Sequence, residues 1–191
     1  MFKNLIICFL VLLAFSFLGP VSWATILVVD DFDSGLPGNN VGGETGAWSC
    51  NPEDSEQFCK MELIDVERVG DTGFCLKLTY DVGISQTACN GYWSLLNGLD
   101  VFDYECLSFR VKGDKNTGHT TTFWVELKDP VNTSRVQITG ITDEWQKIKI
   151  SQEKFTNIHD WVNLTELMII FDHTATAKEG VIYIDNIGFE Q

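Results

Sequence analysis
Short runs in which apolar and polar residues alternate recur along most of the chain, separated by turn-forming residues. Candidate strands are ILVVDDF, KMELIDV, FCLKLTYDV, YWSLL, ECLSFRVKG, TTFWVELKD, SRVQITG, WQKIKI, ELMIIFD and VIYIDNIGF. They are rich in Val, Ile, Phe, Tyr and Thr, which suit a pleated, half-buried surface, and no long stretch holds a helical period. About ten short strands with no internal repeat and no linker predict one all-β domain, a sandwich or barrel. The least strand-like segment is SQEKFTNIHDWVNLTEL. A short helical turn is expected there around Asp160 to Leu164, with Trp161 and Leu164 closing one end of the core.

The alternation assigns faces. In TTFWVELKD, Phe123, Val125 and Leu127 take one side and Trp124, Glu126 and Lys128 the other. In SRVQITG, Val136 and Ile138 point inward while Arg135, Gln137 and Thr139 point outward. The intervening DPVNT is turn-like, so the two strands are expected to pair antiparallel. One outward face then carries Trp124, Glu126, Arg135 and Gln137 together, joined by Ser108 and Arg110 if ECLSFRVKG lies in the same sheet.

The first residues, MFKNLIICFLVLLAFSFLGPVSWA, have the pattern of a removable export signal: Lys3, an apolar run from Leu5 to Leu18, and small residues Ser22 and Ala24 before the cut. Residues 1–24 are therefore expected to leave, and residues 25–191 to form a domain that acts outside the cytoplasm. That setting means a secreted protein or, in a bacterium, one in the periplasm or at the cell surface. The apolar run is shorter than a bilayer requires, and no later stretch is long and apolar enough to span one. The net charge of −14 becomes one unit more negative when the leader lysine is lost. Such a surface repels phosphate backbones, which argues against nucleic-acid binding.

Five cysteines remain after the leader: Cys50, Cys59, Cys75, Cys89 and Cys106. An oxidising compartment permits pairs, and the odd count leaves at least one thiol over. Cys50 and Cys59 bracket the polar NPEDSEQF, so a loop-stapling disulfide between them is expected. One further pair is open among Cys75, Cys89 and Cys106. Close CxxC pairs and histidines at ligand spacing are missing, which disfavours zinc.

A ring flanked by carboxylate, amide and guanidinium groups suits a sugar: the ring packs on the apolar face of a pyranose while the polar groups bond its hydroxyls. Trp124, Glu126, Arg135 and Gln137 supply that set. The plainer reading is a solvated face with ordinary cross-strand pairs such as Glu126 with Arg135. Asp31, Asp33 and Asp185 meet if the first and last strands are neighbours, and with carbonyls of the glycine-rich LPGNNVGGETGAW they would suit structural calcium. Turn capping by these aspartates is the alternative. No GxSxG, HExxH or phosphate-binding glycine loop is present, and His119, His159 and His173 are scattered, so no enzyme is expected. Asn132 and Asn163 stand in glycosylation sequons that matter only in a eukaryotic source.

The order of DDFD, the GYW of Gly91 to Trp93, LSFRVKG, FWVELKD, DEWQKIKI and YIDNIGF resembles the galactose-binding-like jelly rolls. These include the family 11 carbohydrate-binding modules and the complex I intermediate-associated proteins. The resemblance spans nearly all of residues 25 to 191. It implies a jelly-roll β-sandwich of two antiparallel sheets that binds a β-glucan or related polysaccharide on a concave sheet face and holds structural calcium. By position it implies Tyr92 as an aromatic platform, Asp172 and His173 as the rim, Arg135 as the arginine of the cleft and Glu126 as a polar cleft residue. Gln137 stands where the resemblance expects a different partner near the arginine. Protein binding, known among assembly factors of the same superfamily, is the competing role. The apolar leader is unlike an arginine-rich mitochondrial presequence.

Overall fold
A computed structural model describes residues 25–83 and 87–191. The expected leader, residues 1–24, lies outside the described residues. Among the described residues eleven strands form: β1 (Ile26–Asp30), β2 (Thr45–Ser49), β3 (Phe58–Ile64), β4 (Cys75–Asp81), β5 (Cys89–Leu99), β6 (Cys106–Gly113), β7 (Thr122–Lys128), β8 (Thr133–Thr139), β9 (Gln146–Ser151), β10 (Leu164–Asp172) and β11 (Glu179–Glu190). All ten expected runs are strands. The eleventh, β2, falls in the segment expected to be a glycine-rich loop, because TGAWS offers too few apolar residues to show alternation.

The strands make two antiparallel sheets with a jelly-roll arrangement. One has the order β3-β4-β11-β6-β9, with β1 also paired to β11, and the other β2-β5-β10-β7-β8. The pairing of β7 with β8 is as expected, with Trp124 opposite Gln137 and Glu126 opposite Arg135. Strand β6 joins the other sheet, so Ser108 and Arg110 do not share a face with Trp124. Sheet membership switches back and forth along the chain and leaves no mark on the alternation of any one strand.

Inward side chains of both sheets fill the core. Tyr80 of β4 stacks on Phe171 of β10 with centroids 4.1 Å apart, and Phe123 reaches both Phe171 and Phe109 of β6 at 6.2 and 6.4 Å. This aromatic layer bridges the two sheets, and each such contact adds about 0.5–1.5 kcal/mol to simple burial. At one end Leu164 is fully buried and Trp161 packs beside the core, edge-on to Phe155. The expected helical turn is not at Asp160 to Leu164. A short 3-10 helix forms earlier, at Gln152–Lys154, while Asp160 and Asn163 close a simple turn.

The disulfide is Cys50–Cys89, with Cα atoms 5.4 Å apart, rather than Cys50–Cys59. Cys50 directly follows β2 and its N–H donates to the carbonyl of Cys89 at the start of β5. Cys59 lies in the opposite sheet, paired with Tyr80 of β4 and packed against the core. Spacing along the chain brought Cys50 and Cys59 together only on paper. Cys59, Cys75 and Cys106 are free thiols.

Candidate functional site
The register across the second sheet builds a surface row by row. Trp48, Gly91, Ile170, Trp124 and Gln137 stand in one row, and Gly46, Trp93, Met168, Glu126 and Arg135 in the next. Alternate positions such as Tyr92, Ile169 and Val125 turn into the core, so these two rows face outward. Three tryptophans therefore share one sheet face. Met168 and Ile170, between them, are only 9 and 7% exposed, because the larger neighbouring side chains cover them.

Two of the tryptophans come from the same short pattern, Gly-x-Trp, at residues 46–48 and 91–93. Because β2 and β5 are antiparallel, Gly46 sits opposite Trp93 and Gly91 opposite Trp48. A Cβ on residue 46 would lie 2.7 Å from Cζ2 of Trp93, so the indole occupies the space that only glycine leaves over the neighbouring strand. Beside Trp93 a cleft of about 520 Å³ opens toward the loop before β2, lined by Pro37, Gly38, Asn39 and Glu44. Asn39 staples this loop to β5: its Nδ2 donates to Ser94 Oγ and the Leu95 carbonyl, both at 2.7 Å, and its Oδ1 accepts from Gly43 N.

At the other side of the face, the Arg135 guanidinium lies 4.4 Å from the centroid of the Trp124 ring. Trp124 Nε1 donates to Thr174 Oγ1 at 3.1 Å. The Thr174 hydroxyl in turn donates to Asp172 Oδ1 at 2.6 Å, and the Thr174 N–H donates to the same oxygen. Burial pushes the Asp172 carboxyl up, but these bonds outweigh it and hold the group below the usual carboxylate range. Glu126 is half-buried; burial raises its pKa against the pull of Lys128, 3.9 Å away, and of Arg135. Lys128 is itself held by Glu166 at 2.6 Å.

The expected site residues thus separate. Trp124, Glu126, Arg135 and Gln137 share the outward face, and Asp172 supports it from the end of β10. His173 is exposed at the rim, where its carbonyl accepts from Lys178 Nζ. Tyr92 is a correction: it is fully buried in the core, and its neighbour Trp93 takes the outward position. Trp48, Trp93 and Asn39 were not singled out in the sequence. The repeated Gly-x-Trp was the available signal.

β1 pairs with β11 through an irregularity between Val28 and Asp30 that sets Asp30 opposite Ile187, and β11 has its own irregularity against β6 between Asp185 and Gly188. Burial, aided by the charges of Asp33 and Asp31, raises Asp185 to about 6, against hydrogen bonds from the N–H groups of Val69 and Asn186. Asp30 is buried too and raised to about 7, chiefly by burial, while its Oδ1 accepts from Phe32 N. Among the described residues, however, no group of three or more His, Cys, Asp or Glu is placed to hold a metal ion.

No protein-family model matches the chain, and no curated protein matches it in sequence. Solved structures do match its fold. A family 11 carbohydrate-binding module from Clostridium thermocellum, in complex with a β-1,3-1,4-mixed-linked tetrasaccharide, aligns with a TM-score of 0.62 at 18% identity over 86% of this chain and 94% of that one. The CBM22-1 xylan-binding domain of Xyn10C from Paenibacillus barcinonensis aligns with a TM-score of 0.51 at 15% identity, over 87% and 94%. An exo-β-agarase aligns with a TM-score of 0.61 at 13% identity, over 86% of this chain but 24% of the enzyme. The chain is an all-β jelly-roll sandwich whose fold is that of known carbohydrate-binding modules.

Proposed function
We propose that the domain is a non-catalytic carbohydrate-binding module that takes a β-glucan or related polysaccharide on the outward face of the β2-β5-β10-β7-β8 sheet. The observation that carries this reading is the composition of that face: the rings of Trp48 and Trp93 on adjoining strands, with Trp124, Glu126, Arg135 and Gln137 on the same face. Rings spaced along a sheet offer successive apolar platforms to a chain of pyranoses, and the charged and amide groups satisfy hydroxyls at its edge. The fold neighbours that carry a mixed-linked tetrasaccharide or bind xylan support the polysaccharide class. The Cys50–Cys89 bond supports action outside the reducing cytoplasm, the setting that the sequence pattern of residues 1–24 leads one to expect.

All described strands lie within residues 25–191, which is the piece to test. It is screened by affinity electrophoresis against mixed-linked β-1,3-1,4-glucan, xylan and other soluble polysaccharides, with calcium and then with chelator. Retention that is lost in Trp93→Ala supports the reading. A folded domain retained by no polysaccharide overturns it and turns the same face into a protein-contact surface.

A further inference from the structure
We propose, resting on the reading above, that Trp124 is not a sugar platform but a positioning residue that holds Arg135 as a fixed hydrogen-bonding fork on the binding face. The guanidinium lies over the ring at 4.4 Å from its centroid and so covers one of the two faces of the indole. A ligand arriving there meets Arg135 first.

The indole is itself fixed by a chain of bonds whose polarity allows one arrangement. The Trp124 N–H has only a donor to offer and the Asp172 carboxylate only acceptors. The Thr174 hydroxyl between them must accept from the indole and donate to the carboxylate, at 3.1 and 2.6 Å. Asp172 is anchored at the buried end of β10, with 8% of its surface exposed. The sequence Asp172, Thr174, Trp124, Arg135 therefore runs from the sheet to an exposed cation whose planar donors match paired hydroxyls or a carboxylate. Glu126 stands directly opposite Arg135 in the register, yet the guanidinium lies over the diagonal ring instead. Among the described residues no hydrogen bond or ion pair within 4 Å engages the Arg135 side chain, which leaves its N–H groups open to a ligand. The sugar platforms are then Trp48 and Trp93, and Arg135 sets which hydroxyl pattern or acidic sugar is accepted beside them.

The positioning is tested first without ligand, by ¹⁵N relaxation of the Arg135 Nε–H group in the folded domain. Thr174→Val, which removes the bond to the indole, and Trp124→Leu, which removes the ring, should both raise its mobility while the backbone spectrum elsewhere stays the same. Unchanged mobility in both variants overturns the proposal. The second arm measures affinity for mixed-linked β-1,3-1,4-glucan in a double-mutant cycle. Thr174→Val should weaken binding about 3- to 10-fold in the native background and less than about 2-fold when Arg135 is already alanine. Equal losses in both backgrounds would mean that Trp124 touches the sugar itself, which also overturns it. If the native domain binds no polysaccharide, the binding reading fails, and the relaxation arm alone decides whether Trp124 positions Arg135.

Discussion
The Arg135 guanidinium lies over the Trp124 ring although the Glu126 carboxylate stands opposite it in the strand register. An exposed ion pair contributes little in water, whereas an arginine on an indole gains cation–π attraction and covers apolar surface at once. Glu126 is left beside Lys128, and burial raises its pKa. The face thus separates into a cationic edge at Arg135 and a patch in which Lys128 is ion-paired with Glu166 and Glu126.

Tyr92 and Trp93, adjacent in sequence, should fail in opposite ways. Tyr92→Ala opens a large hole in the core and is expected to cost about 3–5 kcal/mol in chemical denaturation. Trp93→Ala should weaken polysaccharide binding about 10-fold or more, with a clearly smaller loss of stability. A destabilised Trp93→Ala that still binds would place the ligand elsewhere.

The cysteine assignment is checked by counting thiols. Denatured but unreduced protein spanning residues 25–191 should titrate only Cys59, Cys75 and Cys106. Replacing Cys50 and Cys89 together by serine is expected to cost about 3–4 kcal/mol, the order for a loop of this length. A peptide map containing a Cys50–Cys59 bridge would refute the pairing.

Glu190 is buried and its carboxylate binds Lys147 and Lys149, both at 2.6 Å, and the Ser108 hydroxyl. Burial would raise its pKa, but these partners outweigh it and bring the group down to about 2. A depressed folded pKa contributes stability that is present above the ordinary glutamate pKa of about 4.3 and lost as pH falls toward the folded value. Unfolding free energy should therefore decline as pH falls from about 4.3 toward 2, and Glu190→Gln should flatten that decline. The cost of that variant at pH 7 is expected to be about 1–2 kcal/mol, because both lysines keep much of their contact with water. An equal acid slope in the variant would assign the loss to other carboxylates.

Asp30 has the opposite sign. Its folded pKa is raised to about 7, so the unfolded chain ionises first and stability falls as pH climbs from the ordinary aspartate range to neutrality. Asp30→Asn keeps an oxygen acceptor for Phe32 N and removes the charge. In chelator it should raise the melting temperature by a few degrees, about 3–6 °C, at pH 7.5 and leave it nearly unchanged at pH 4. If calcium does the same for the native domain, the carboxylates of this junction rearrange around a cation.

Much of this was legible in the residues. Phe123, Val125 and Leu127 alternate cleanly with Trp124, Glu126 and Lys128, because one side of β7 meets the core and the other meets water. GYW defeated the same logic: Tyr92 and Trp93 are both large and both amphipathic, so a shift by one residue changes nothing in the pattern and everything in the site. Strand β2 was hidden by Gly46, whose missing side chain makes room for Trp93 and also erases the apolar signal. The partner of Cys50 depended on which sheet each flanking strand joins, and the same information decides whether Ser108 and Arg110 share the face of Trp124. That information resides in pairings between distant segments.

The bond between Cys50 and Cys89 has a kinetic meaning for the face it borders. Strand β2 is a five-residue edge with a single sheet neighbour, the kind of element that opens and closes many times before a domain unfolds. A crosslink just past Ser49 closes one of the two ends from which it could peel, so separation has to begin at Thr45 and reaches Trp48 late. Reduction of that one bond would open the second end, so fraying of the Trp48 and Trp93 surface would become easier. In an oxidising medium an arriving polymer meets a surface that is already assembled; after reduction, the same surface would be open for part of the time, and encounters would be lost in proportion.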